Sequence, residues 1–396
     1  MIQIKRDNLD VLAKNHYDEY FVKKGFLKKL KNLKVNETDS MQKKFFESIW
    51  KQIENIIMGR PQTLNDIIRN FNIEHPEMMR KIDDYNLRKG RQGANKKLTK
   101  DIKKALKENS HNLSALLERK ERLDAIMKLS DFQVKSMEEF VEKIKGIFHY
   151  DNFCKQYDEK GKRIWGAYEL AKQLKMETCP YCNRQFITVS EPNEDDEGRT
   201  RPQLDHFYSK SRFPFLAVSF FNLIPCCYVC NSNLKRNQEF SIDTHIHPYE
   251  DGFGDLYQFT VQFKKDDKGG VDYLGGGYLN PDEFLIDFKV NELEKKKYPE
   301  KEFEELIYKI ENNKRTFKLK SLYNSHTDYV GEILEKSMRY NDSKIESLYQ
   351  EFPNLFPSKY DLLRLIYCNY VDPSQLDKRV LSKLTRDITQ EFGLRY

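Results

Sequence analysis

Residues 203–237 read QLDHFYSKSRFPFLAVSFFNLIPCCYVCNSNLKRN, and a shorter turn, CPYC, precedes them at residues 179–182. Cys179 and Cys182 form one Cys-x-x-Cys pair; Cys227 and Cys230 form a second one about 45 residues later. That spacing lets two sulfurs of a tight turn reach one metal ion, and two such pairs supply the four thiolates of a tetrahedral zinc site. A redox Cys-x-x-Cys needs only one pair. The gap between the pairs exceeds the roughly 15–20 residues of a simple zinc ribbon, so further structure is inserted there. Cys154, Cys226 and Cys368, which lie outside the pairs, read as small buried hydrophobes.

The inserted material contains Asp205-His206 and Asn222, and Asn231 and Lys235 follow the last cysteine. The ordered set Cys-x-x-Cys, Asp-His, Asn-Leu-x-Pro, Cys-x-x-Cys-Asn resembles the HNH (ββα-metal) endonuclease family. The resemblance covers about 70 of the 396 residues, from Cys179 to about Pro248. Phosphodiester hydrolysis needs an activated water, and an imidazole that titrates near neutrality is suited to removing its proton, which makes His206 the candidate base. The charge that develops on phosphorus favours a hard divalent cation, Mg²⁺ or Mn²⁺, for which Asp205 offers an oxygen ligand. The resemblance further implies that Asn231 is a second ligand of that ion, and that Asn222 holds the loop and orients His206. The last letter of the motif is often His, whereas this chain has Asn231. An amide oxygen suits Mg²⁺ and argues against a tightly held transition metal there.

Lys210, Arg212, Lys235 and Arg236 are candidates for phosphate contacts, with solvated surface as the alternative for each. His247, in the run Asp243-x-His245-x-His247-Pro, is a secondary candidate. If that run is a strand, alternation puts both histidines on one face.

Around this centre lies a long, hydrophilic chain. One third of its residues are charged and its mean hydropathy is −0.79, yet 13% are aromatic, which separates it from disordered sequences. The first 100 residues hold 22 Lys and Arg against 13 Asp and Glu, while the remainder has 46 against 49. That basic balance, densest from Arg80 to Lys104, fits either a nucleic-acid backbone or solvated helix faces. There is no apolar run of roughly 18 residues and no signal-peptide pattern in MIQIKRDNLDVLAKNH, so a cytoplasmic chain without membrane contact is expected.

Hydrophobic spacing places helices around Phe45–Ile57, over residues 113–129, over 136–148 with the capping-box pair Ser136 and Glu139, and over 161–176. Residues 184–190 read as a strand and 191–198 as an acidic loop. Alternation at Tyr257, Phe259, Val261 and Phe263, and again at Phe284, Ile286, Phe288 and Val290, predicts a small antiparallel sheet with Gly-rich breaks between. Helices return over 303–322, 329–340, 360–370 and 375–391. The expected fold is therefore α+β: a basic helical region (1–160), a zinc-stabilised ββα-metal core (161–250), the small sheet (251–291) and a C-terminal helical region (292–396).

The function expected is metal-dependent hydrolysis of DNA, leaving 5′-phosphate and 3′-hydroxyl ends as the resemblance implies. CPYCN, Asp-His-Phe-Tyr and His-Pro-Tyr are further similar to nuclease subunits of Septu-type and some retron anti-phage systems, which implies an ATPase partner. The alternatives are a non-catalytic zinc module that binds nucleic acid and a toxin-like nuclease acting on RNA.

Overall fold

The computed structural model describes residues 1–107, 112–155, 164–191, 198–264 and 283–395. The chain divides into two units. One comprises Leu9–Ala167 with His206–Leu223, and the other Met1–Asn8, Tyr168–Asp205 and Ile224–Tyr396. The two units interleave along the chain, with boundaries at Asn8/Leu9, Ala167/Tyr168, Asp205/His206 and Leu223/Ile224.

The first, helical unit contains α1 (Leu9–His16), α2 (Phe26–Asn36), α3 (Ser40–Lys51), α4 (Ile53–Met58), α5 (Pro61–Glu74), α6 (Pro76–Lys89), α7 (Arg91–Lys107), α8 (Leu113–Ile126), α9 (Asp131–Ile147) and α10 (Tyr150–Cys154). Local chemistry sets their ends. Asp39 caps α3 by accepting from the N–H groups of Met41 and Gln42. At Gly59 a Cβ would lie 2.2 Å from the Asn55 carbonyl oxygen, so α4 stops on a residue without one, and Pro61 opens α5 where its missing N–H costs nothing. Phe45, Phe71, Phe140 and Phe215, all fully buried, form an aromatic core. Phe71 stacks on Phe215 with ring centroids 4.8 Å apart, and Phe45 meets Phe140 edge-on at 5.4 Å. Phe215 belongs to the 206–223 segment, which is thereby packed into the helices. A smaller core of Leu87, Leu98, Leu123 and Ile126 joins α6, α7 and α8.

The second unit contains α11 (Ala167–Leu174), the cysteine turns, a helical segment Val229–Lys235, α12 (Glu292–Lys295), α13 (Glu300–Thr316), α14 (Leu319–Tyr323), α15 (Thr327–Arg339), α16 (Asp342–Glu351), α17 (Lys359–Tyr367) and α18 (Ser382–Glu391). Strands β1 (Gln203–His206) and β2 (Leu223–Cys226) pair, as do β3 (Tyr257–Phe263) and β4 (Phe284–Val290). The alternating residues read from the sequence oppose one another across the antiparallel β3–β4 ladder: Tyr257 with Val290, Phe259 with Phe288, Val261 with Ile286, Phe263 with Phe284. Both edges of this ribbon are occupied. On the β3 side, the N–H groups of Phe259 and Val261 donate to Asp387 and Glu391 of α18 at 2.9 and 3.2 Å; on the β4 side, Asn324 exchanges hydrogen bonds with the backbone of Ile286.

Residues 1–6 form a strap across the same unit. The Ile2 and Ile4 N–H groups donate to the carbonyls of Pro180 and Pro248 at 2.9 and 2.8 Å, and the Phe253 N–H donates to that of Met1. A Cβ on Gly252 would lie 2.9 Å from the Gln3 nitrogen, so this close approach of two backbones requires glycine.

Several local expectations change. Residues 184–190 form no strand; isolated bridges join Thr178 to Phe186 and Ser190 to Thr200, too few bonds for a ladder. Ser136 lies inside α9, which starts at Asp131 under a capping box made by Ser130 and Gln133, the same spacing one and a half turns earlier. Of the 161–176 helix, residues 161–163 lie outside the described residues and the described part is helical only in α11, and the 303–322 helix is broken at Lys318, whose φ of 48° ends one helix and starts the next. Residues 243–247 run through a turn and a bend into irregular chain, so strand alternation does not govern His245 and His247. Cys368 is exposed, not buried. Most of the acidic loop, and the Gly-rich breaks between β3 and β4, lie outside the described residues. No helix among the described residues is long and apolar enough to cross a membrane.

Candidate functional site

The sulfurs of Cys179, Cys182, Cys227 and Cys230 all lie within 4.8 Å of one another, and all four residues are buried. Cys182 Sγ and Cys227 Sγ are 3.9 Å apart. A disulfide needs about 2.05 Å, whereas the edge of a tetrahedron with zinc–sulfur bonds of about 2.3 Å is about 3.8 Å. Backbone N–H groups of Arg184 and Cys230 point at Cys182 Sγ and Cys227 Sγ, each at 3.4 Å, which stabilises charge on sulfur. Burial raises the Cys179 thiol, hydrogen bonds from its neighbours raise Cys230, and the bonds that Cys227 receives from the other three lower it. Charges on neighbouring buried sulfurs oppose one another, and a bound dication would offset that opposition. The donor set, spacing and burial fit a structural zinc ion (Zn²⁺), which fixes backbone and performs no step of chemistry.

The turn that carries the first pair is locked from outside. Asn183, with φ of 50°, gives its carbonyl to the Leu381 N–H at 2.7 Å and its side-chain oxygen to Ser382 and to the Lys383 N–H, all at the start of α18. The Tyr323 hydroxyl donates to the Cys182 carbonyl at 2.6 Å.

In the same unit Asp205 is 2% exposed. Lys235 Nζ lies 2.7 Å from one of its carboxylate oxygens, and the Tyr181 hydroxyl donates to the other at 2.7 Å. Burial, and after it the charge of Asp205, keep that hydroxyl protonated well above its ordinary range. Lys235 is itself 2% exposed and sits over the Phe240 ring, on whose face His245 stacks at 3.6 Å. Burial, reinforced by Lys235, lowers His245 to about 4, so it is neutral at pH 7. Lys235 is therefore an internal counter-ion and not the surface phosphate contact expected. Asn231, in the Val229–Lys235 segment, donates through Nδ2 to Gln203 Oε1 at 2.8 Å and so ties that segment to β1. His247 is buried, and its Nδ1 accepts from the Tyr249 N–H at 3.3 Å, a packing role.

The helical unit holds the other two residues of the motif. His206 Nε2 lies 2.9 Å from the Ala217 carbonyl. A carbonyl only accepts, so Nε2 carries the proton and, in the neutral ring, Nδ1 keeps the lone pair. Tyr150, presented by α10, meets the imidazole edge-on with centroids 4.5 Å apart, and the exposed Lys210 lies 4.4 Å over the same tyrosine. Asn222, fully buried, accepts from the Tyr208 N–H at 2.7 Å and donates to the carbonyls of Tyr208 and Leu216 at 3.1 and 2.9 Å. It thus clamps both the chain leaving His206 and the chain leading to Ala217. His16 adds a second clamp: Trp165 Nε1 donates to its Nδ1 at 3.0 Å, so its Nε2 carries the proton that goes to the Val218 carbonyl at 2.7 Å. Burial lowers His16 to about 4.

Asp205 and Asn231 thus belong to one unit and His206 and Asn222 to the other. Arg212 lies beside Phe213, and Arg236 is exposed with φ of 52°. Tyr150, Tyr181, Gln203, His16 and Trp165 were not legible as site residues; Tyr181 occupies an unspecified position of the CPYC turn, the other four belong to no spaced motif, and each reaches its partner through the fold. No protein-family model, no curated protein and no solved structure matches the chain.

Proposed function

We propose that the chain is an HNH-type endonuclease that hydrolyses phosphodiester bonds of DNA. The observation that carries this reading is the hydrogen bond from His206 Nε2 to the Ala217 carbonyl, held from both sides by Asn222. It leaves Nδ1 as a base of fixed orientation. In the proposed step Nδ1 takes a proton from water as its oxygen bonds to phosphorus, the phosphorus–O3′ bond breaks, and O3′ leaves as an alkoxide that takes a proton from solvent water, which gives a 5′-phosphate and a 3′-hydroxyl. Lys210, exposed beside the Tyr150–His206 pair, is suited to a phosphate oxygen.

The divalent ion implied by the family resemblance meets an obstacle at Asp205. Both carboxylate oxygens are taken, one by an ammonium ion and one by a hydroxyl, and the Asn231 amide is turned to Gln203. As paired, these residues do not fit Mg²⁺ or Mn²⁺, which also keep several waters, and no step is routed through such an ion. The same pairing favours a second reading, a zinc-stabilised nucleic-acid-binding module without catalysis. On the Septu and retron resemblance we further propose an ATPase partner; co-expression and co-purification test it, and a chain that purifies alone counts against it.

The test of the main reading is incubation of zinc-loaded protein with supercoiled plasmid and with structured RNA, with and without Mg²⁺ or Mn²⁺, followed by end analysis. Plasmid cut to 5′-phosphate ends supports it. Cleavage of RNA alone replaces it with a ribonuclease, and binding without cleavage replaces it with the binding module.

A further inference from the structure

Helix α7 reads RQGANKKLTKDIKKALK over Arg91–Lys107. At 100° per residue, Lys96, Lys97, Lys100, Lys103, Lys104 and Lys107 fall within an arc of about 120°, and Leu98 and Ala105 fall on the opposite side. The structure agrees with the wheel. Leu98 is 5% exposed and Ala105 4%, Leu98 packs into the small core with Leu87, Leu123 and Ile126, and all six lysines are exposed. The acidic residue of the helix, Asp101, lies at the margin of that arc.

The neighbouring helices treat their charges differently. On α6 and α8, Arg80 and Arg122 both pair with Asp84, and Lys120 pairs with Asp124. Lys96, Lys97, Lys100, Lys103 and Lys107 pair with no carboxylate among the described residues. A row of like charges on successive turns repels itself, so it costs stability unless an anion is brought to it. Four of the lysines, Lys96, Lys100, Lys103 and Lys107, run along about 17 Å of the helix axis. Duplex DNA presents one charge per about 1.7 Å of its own axis, so several phosphates lie within reach of such a row.

We infer that the lysine face of α7 is a docking surface for the phosphate backbone of duplex DNA, separate from the His206 cluster and independent of base sequence. The inference rests on the nuclease reading for the choice of DNA as the polyanion, and names where the polymer is gripped. Lysines are point charges without the fork of arginine, which suits backbone contact and not base readout.

The test uses the zinc-loaded full chain without added Mg²⁺ or Mn²⁺, and fluorescence anisotropy of a labelled duplex of about 30 base pairs titrated at several salt concentrations. Replacing Lys96, Lys100, Lys103 and Lys107 together by Gln is expected to weaken binding at low salt at least tenfold. It should also reduce the slope of log K against log salt by about 3 to 4, at about 0.9 per phosphate contact. The paired variants Lys96→Gln/Lys100→Gln and Lys103→Gln/Lys107→Gln should each remove about half of that slope, and the fourfold Lys→Arg variant should retain it. Two duplexes of unrelated sequence should respond alike. Unchanged slope and affinity in the fourfold Gln variant would overturn the inference, as would a wild-type chain that ignores duplex at low salt, which is the behaviour of a face made for an acidic protein. Cleavage of the same duplex is scored separately. With Mg²⁺ or Mn²⁺ then added, binding without cleavage sinks the nuclease reading and leaves the surface standing, whereas cleavage with an unaltered Gln variant does the reverse.

Discussion

Replacing Lys235 by Met tests the pairing at the centre of the cysteine-containing unit. Lys235 and Asp205 are each 2% exposed, with ammonium and carboxylate 2.7 Å apart. At an effective dielectric constant of about 20 their attraction is roughly 6 kcal/mol, most of it offset by the desolvation of both ions. Methionine fills a similar volume but leaves the Asp205 carboxylate with the Tyr181 hydroxyl as its partner. Breaking a buried pair from one side costs about 3–5 kcal/mol, because the remaining charge stays buried. Lys235→Met should therefore lower the free energy of unfolding by that amount, measured by guanidinium denaturation of zinc-loaded protein at pH 7. The double variant Asp205→Asn/Lys235→Met should recover most of the loss, giving a coupling energy of about 2–4 kcal/mol. A single-variant loss below about 1 kcal/mol, or losses that simply add, would refute the buried pair. The cycle also bears on catalysis. If the ammonium stands where a cation would bind, Mn²⁺ should raise the melting temperature of Lys235→Met and leave that of the wild type unchanged.

Three further outcomes are expected. Atomic emission should find one zinc per chain after dialysis, and Cys227→Ser should lose it together with several kcal/mol of stability; a chain that melts unchanged after chelation would contradict the structural role. Asn222→Ala removes three hydrogen bonds from a fully buried position, so it should cost about 2–4 kcal/mol and reduce cleavage more than Lys210→Gln does, as denaturation and initial rates would show. His16 is lowered from 6.5 to about 4. Its contribution to stability is complete above pH 6.5 and is lost as pH falls towards 4, since the unfolded chain takes up the proton first, by about 3 kcal/mol in all. His16→Leu should flatten that part of the stability–pH curve while lowering its plateau, and an unchanged curve would exclude His16 as its source.

The parts of the molecule that were legible in the sequence are those encoded by short spacing. Each Cys-x-x-Cys pair is a local turn, and the alternation at Tyr257–Phe263 and Phe284–Val290 registers residue for residue in the β3–β4 ladder. Residues 184–190 carry a similar apolar pattern but meet no long partner strand, so propensity without pairing misled. The start of α9 was misplaced because Ser130 and Ser136 both have a capping partner three residues on, and only the first stands at a helix end. What no spacing encodes is long-range. Lys235 meets Asp205 across 30 residues, His16 reaches Val218 across 202, and Asn183 anchors a helix about 200 residues away. The interleaving of the two units has the same origin: the chain enters the helical unit again at His206 to supply Phe215 to its aromatic core.

The most direct measurement is the initial rate of plasmid cleavage by zinc-loaded wild type and His206→Ala, at equal zinc content and equal stability. A general base contributes about 10²–10⁴-fold, so the variant should be slower by at least two orders of magnitude. Equal rates would remove His206 from the chemistry, and a fully zinc-loaded wild type that cuts neither strand would remove the chemistry from the protein.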